Sequence, residues 1–102
     1  MNLDQISWQE KLNNDNSPVI LDVRTEEEYE QKHIPGSVNI NFYDPSNFIS
    51  EINKLDKSKS YYIYCRTGVR SENSCILMLE LGFNKLYNLV GGIQEWKGKT
   101  IN

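Results

Sequence analysis

The run Tyr61-Tyr62-Ile63-Tyr64-Cys65-Arg66-Thr67-Gly68-Val69-Arg70-Ser71-Glu72 sets a thiol between a strand-like stretch and a helix-like one. The unbroken apolar and aromatic residues before Cys65 predict a buried strand that ends on it. A tight loop follows, then a helix starting near Arg70 or Ser71 and running to Leu81. In parallel α/β sheets, ligands bind beyond the carboxyl ends of the strands. A loop closing onto a helix start aims backbone N–H groups inward and carries positive potential. Arg66 and Arg70 add formal positive charge, and each of these terms favours a thiolate. Gly68 allows close backbone approach or a left-handed turn. Cys65 is therefore the expected nucleophile. A buried, inert thiol is the competing reading for any free cysteine. That reading suits Cys75, which falls on the apolar face of the following helix.

The rest of the composition narrows the classes. The chain has 102 residues, 38% hydrophobic and 25% charged, with a net charge of −3 and a pI near 5.1. This fits one soluble domain, 1–102, with a single core. An acidic chain with no basic face is not expected to bind nucleic acid. No apolar run approaches the roughly 20 residues of a membrane span. The start, Met1-Asn2-Leu3-Asp4-Gln5, has neither basic residues nor an apolar run, so no signal peptide is expected and the location expected is cytoplasmic. Two cysteines ten positions apart and one histidine make neither a disulfide framework nor a zinc site nor a C-x-x-C pair. No metal and no cofactor are implied.

The elements that must hold Cys65 are legible in outline. Leu3 to Ile6 reads as a short edge strand, with Ser7 as N-cap of a helix from Trp8 to about Asn14. Val19 to Val23 reads as a buried strand. Thr25-Glu26-Glu27-Glu28 is a capping box, and its glutamates suit the positive end of a helix dipole. An acidic docking patch is the alternative reading of that run, and a capped helix start is preferred. His33-Ile34-Pro35-Gly36-Ser37 is a turn leading to a strand at Val38-Asn39-Ile40. Asp44-Pro45-Ser46 opens a helix with Phe48, Ile49, Ile52 and Leu55 on one face. In the helix after Cys65, the inner face is expected to hold Cys75, Met78, Leu79 and Leu81. Gly82 stops it, with Phe83 packing back. Lys85 to Val90 is a last strand, and Ile93 to Lys97 a last short helix after Gly91-Gly92. Strands alternating with helices give an α/β fold with a mostly parallel sheet.

Taken together, four segments resemble the rhodanese-like family in its single-domain form. Cys65-Arg66-Thr67-Gly68-Val69-Arg70-Ser71 looks like its active-site loop. Leu21-Asp22-Val23-Arg24 resembles the strand and arginine behind that loop. His33 to Ile40 is similar to its signature turn and strand. Val90-Gly91-Gly92-Ile93-Gln94-Glu95-Trp96 looks like its closing helix. The resemblance implies a three-layer fold with a central, mostly parallel five-stranded sheet and helices on both faces. It implies that Cys65 attacks the outer sulfur of a donor, thiosulfate or a persulfide, and becomes a persulfide itself. A thiol, cyanide or protein acceptor then takes the sulfur, which is covalent catalysis in two steps. The loop Arg66, Thr67, Gly68, Val69 and Arg70, with Arg24, is the expected substrate-binding set.

Two rivals differ in countable ways. Phosphatases and arsenate reductases of related fold place Cys, five residues, then an Arg that clamps a tetrahedral oxyanion. Here Ser71 stands at that arginine position and Arg70 comes one place early. A binding or carrier module would keep the cysteine yet show little turnover on free thiosulfate. Among other residues, Arg24 reads equally as a loop or donor ligand and as a surface arginine. Asp22 reads as structural, pairing with Arg24 or capping loop amides. His33 reads as a structural hydrogen-bonding residue rather than a base, and Trp96 as a packing anchor. A monomer suffices for one such site.

Overall fold

The computed structural model describes residues 1–102. In chain order the elements are β1 (Asn2–Leu3), α1 (Gln5–Asn13), β2 (Val19–Asp22), α2 (Glu26–Gln31), β3 (Ser37–Asn39), α3 (Pro45–Ile52), β4 (Ser60–Tyr64), α4 (Val69–Glu80), β5 (Lys85–Leu89) and a 3-10 turn (Ile93–Glu95). The strands form one sheet in the order β1-β5-β4-β2-β3. Every ladder is parallel, because each strand pair is joined by a crossover carrying helix rather than by a hairpin. No helix is long and apolar enough to cross a membrane.

β4 lies centrally, and its side chains alternate between two cores. Tyr61, Ile63 and Cys65 join Leu21, Val23, Phe48, Ile52, Cys75 and Met78, the side covered by α3 and α4. Tyr62 and Tyr64 join Trp8, Ile34, Leu89 and Ile93, the side covered by α1 and the 3-10 turn. Burial on both faces is why the strand reads as a continuous apolar run. The result is helices, sheet, helices in three layers, the α/β architecture that the motifs implied. Cys65 therefore leaves the sheet on the α4 side, directly below that helix's start.

Local chemistry explains the element boundaries. Thr25 caps α2 through a complete capping box: its hydroxyl accepts from the Glu28 N–H and Glu28 reaches back to the Thr25 N–H. Gly82 takes φ 101°, and the Phe83 N–H donates to the Met78 carbonyl at 3.0 Å, closing α4.

Several boundaries differ from expectation. α1 begins earlier, because Asp4 and not Ser7 is its N-cap: the Asp4 carboxylate accepts from the Ser7 N–H at 2.8 Å. Both are good capping types three residues apart, and the more N-terminal one wins. That shortens β1 to Asn2–Leu3. α4 starts at Val69, since Gly68 at φ 108° makes the turn. Its inner face is Ser71, Ser74, Cys75 and Met78, while Leu79 is 61% exposed. Leu79 lies about a quarter turn away from the line those four define. Ile49 likewise stands half out of the core, leaving Phe48 and Ile52 to anchor α3. After Gly92 the chain makes only the 3-10 turn before Trp96 becomes extended.

Candidate active site

Cys65 follows the last residue of β4 and is 1% exposed. The Gly68 N–H donates to its Sγ at 3.0 Å, and the Ser71 hydroxyl donates to it at 3.3 Å. Burial pushes the thiol's pKa up. Hydrogen bonds from the Ser71 hydroxyl and from the backbone of Ser71, Gly68 and Thr67 outweigh it, so the net direction is below the ordinary thiol value. The loop thus gathers donors around the sulfur at a helix start, an arrangement that favours the ionised thiol over the neutral one. Cys75 shows the contrast: burial without such donors raises it to about 11.

The loop is curled by the segment after β5. The Ile93 N–H donates to the Cys65 carbonyl and the Gln94 N–H to the Arg66 carbonyl, both at 3.0 Å. Tying these carbonyls outward leaves the next peptides free to turn their N–H groups toward sulfur. Gly92, at φ 59°, lies so close beneath that any Cβ would overlap the Arg66 carbonyl. Asn88, from β5, donates to the Gly68 carbonyl at 3.3 Å. On the other side of the sheet end, the Asp22 carboxylate accepts from the Arg24 N–H and from its guanidinium, down to 2.6 Å. Arg24 also donates to the Lys32 carbonyl at 2.8 Å. Desolvation weighs against the Arg24 charge, and its bonds to Asp22 more than restore it.

The expected site residues are brought together, with differing freedom. Thr67 and Arg66 are exposed at the loop, and Val69 is 65% exposed. Arg70 is not free: its NH1 and NH2 groups donate to the two Glu28 oxygens at 2.7 and 3.0 Å. Its guanidinium also lies 4.9 Å from the Tyr43 ring centre. Arg24 is buried rather than on the surface, paired to Asp22. His33 stacks on Tyr29 with its Nδ1 2.8 Å from the Tyr29 carbonyl, and it makes no hydrogen bond to the sulfur. Trp96 packs edge-on against Trp8. Two members were not singled out from sequence as site residues. Ser71 had a signal, a hydroxyl six residues after the cysteine where the rival pattern has arginine. Glu28 had one only as a capping residue. No group of three or more His, Cys, Asp or Glu side chains is placed to hold a metal ion.

A parallel sheet with helices on both faces, a cysteine at the end of its central strand and a short loop of N–H groups turned toward that sulfur define the class of α/β fold. The family profile described as "Rhodanese-like domain" matches residues 5–99. The chain belongs to that family. It is 42% identical over 94 residues to the putative sulfur carrier protein YrkF of Bacillus subtilis, covering 92% of this chain but 49% of that protein. It spans, therefore, about half the length of that relative. It is 35% identical over 79 residues to the thiosulfate sulfurtransferase GlpE of Coxiella burnetii, covering 78% of this chain and 71% of GlpE. Among solved structures, a rhodanese-related protein from Thermoplasma volcanium superposes with a TM-score of 0.82 at 25% identity, covering 98% and 96% of the two chains. The chain's relatives thus include a sulfurtransferase and a putative sulfur carrier.

Proposed function

We propose that the protein is a sulfurtransferase that takes a sulfane sulfur onto Cys65, from thiosulfate or a persulfide, and passes it to a thiol, cyanide or protein acceptor. The observation that supports this most is the pair of hydrogen bonds to Sγ, from Gly68 N–H and Ser71 Oγ. They favour a thiolate before attack. In the Cys65 persulfide the outer sulfur carries the charge, and the remaining loop N–H groups are the donors for it. No base is needed, which fits a His33 engaged with Tyr29 rather than with the sulfur. The function rests on Cys65, Arg66, Thr67, Gly68, Val69 and Arg70, with Arg24 as a support of the strand end.

Loop length argues against phosphoryl chemistry. Ser71 occupies the place of the clamping arginine, and its hydroxyl points at sulfur. A carrier reading draws support from the name of YrkF. It differs from the enzyme reading only in the acceptor, a partner protein instead of a free small molecule.

Incubation with thiosulfate or an organic persulfide, followed by mass spectrometry, is expected to add one sulfur atom to Cys65. C65A loses the gain and C75A keeps it. Sulfur mapping to Cys75, or absent with every donor, overturns the proposal. Phosphatase activity abolished by C65S does so too.

A further inference from the structure

The loop contains two arginines, yet only one is available to a ligand. Both terminal nitrogens of Arg70 are taken by the Glu28 carboxylate in a two-bond pair. Two parallel bonds of this kind are what an arginine would otherwise offer a sulfonate or sulfate-like group. A dianionic donor must therefore compete with an intramolecular carboxylate whose position is already set by the α2 capping box. The pair is half-buried, with side-chain exposures of 14% and 28%, so solvent screens it incompletely. Glu28 offsets the charge of Arg70 as well as occupying its nitrogens, which leaves Arg66 as the loop's unpaired cation.

A second feature adjoins the first. A cleft of about 430 Å³ borders the loop at Arg66, with Glu28, Arg24 and Ile93 also in its walls. Gln31, Lys32 and Gln94 contribute amides and a cation to its walls. Its size is within the range of pockets that hold organic ligands, and far exceeds what a four-heavy-atom oxyanion group fills. Polar walls with a net positive charge suit a small organic molecule carrying carboxylate and amide groups.

We propose that Glu28 sets the donor class: by occupying Arg70 it disfavours thiosulfate, and the adjoining cleft takes the organic part of a low-molecular-weight persulfide, R–S–SH. The proposal rests on the sulfur-transfer reading above and narrows it. In the step, the Cys65 thiolate attacks the outer sulfur. An S–S bond forms to Cys65, the R–S to outer-sulfur bond breaks, and its electron pair leaves on R–S⁻, which takes a proton from water. No oxidant or reductant is consumed. Glu28 acts through Arg70 and is a positioning residue.

The test is E28Q. Glutamine also completes a capping box, so the helix start is kept while the charge is removed; circular dichroism and a thermal melt check this. Rates of sulfur loading on Cys65 are measured against thiosulfate and against glutathione persulfide. E28Q is expected to lower the half-saturating thiosulfate concentration about fivefold, the scale of one partly screened ion pair. It leaves the value for glutathione persulfide unchanged or higher. Adding R70A to E28Q removes the gain, and E27Q, an unpaired acid in the same helical turn, does not produce it. An unchanged thiosulfate value in E28Q, or a parallel fall for both donors, overturns the proposal. A second readout needs no sulfur transfer: sulfate, which cannot donate sulfur, should protect Cys65 from iodoacetamide at lower concentration in E28Q than in wild type. If no donor loads the wild-type protein, the function proposed above fails. Sulfate protection then still decides, by its change or lack of change, whether Glu28 withholds Arg70 from dianions.

Discussion

At the scale of the residue, the sulfur of Cys65 is governed by a contest between burial and donors. Burial alone would make it as sluggish as Cys75; the Ser71 hydroxyl and the loop amides reverse the direction. The pH profile of iodoacetamide alkylation is therefore expected to have its midpoint for Cys65 below the ordinary thiol value of 9.0. S71A removes the largest favourable contribution and should move the midpoint up. A midpoint that stays put in S71A would mean the amides suffice. The place of Cys65, at a strand end before a tight loop that turns donors onto its sulfur, was legible in the sequence, since packing alone does not call for a glycine and two arginines directly after a strand-end cysteine. The engagement of Arg70 was not. Glu28 lies 42 positions away, and its capping signature gave no hint that both its oxygens also reach the loop. Nor did the Asp22–Arg24 spacing tell a surface arginine from a buried one.

At the scale of the element, the loop owes its shape to a neighbour rather than to its own residues. Gly92 approaches the Arg66 carbonyl with no room for a side chain, in a conformation at φ 59° that L-residues avoid. G92A is expected to cost about 2 kcal/mol in urea denaturation. Its rate of sulfur loading should fall at least about tenfold, since a displacement of the donors by an ångström is that costly to a preorganised site. Wild-type loading in G92A would show that the closing turn does not shape the loop. Element existence was legible because periodicity and caps agree along most of the chain. Its failures have local causes. Two good caps, Asp4 and Ser7, competed for α1. In α4, small polar Ser71 and Ser74 turn inward, their hydroxyls satisfied by the Cys65 sulfur and the Arg70 carbonyl, and Leu79 lies at the rim.

At the scale of the whole molecule, Glu28–Arg70 also joins α2 to the start of α4 across the end of the sheet. The Arg70 bond, together with Thr25, holds the Glu28 pKa down at about 2 from an ordinary 4.5. A depressed carboxylate contributes stability above its unfolded value and loses it as pH falls toward the folded one. The stability difference between wild type and E28Q should therefore be constant from neutral pH to about 5 and shrink between 4.5 and 2. Urea midpoints across that range check it; a difference independent of pH would show that the ion pair adds nothing to the fold. The sheet's parallel order was foreseeable from alternation of strands and helices. Which strands are neighbours was not, because β1 and β5 are distant in sequence and meet only through long-range pairing.

The amides that bend the loop come from Ile93 and Gln94, 28 positions beyond the carbonyls they hold. During synthesis, a nascent chain that has emerged only through α4 exposes Cys65 with neither β5 nor the closing turn beside it. The two N–H groups that tie the Cys65 and Arg66 carbonyls are then still missing. The loop is held in its final shape only once the segment around Gly92 has docked, so the order of synthesis separates making the cysteine from shaping its surroundings.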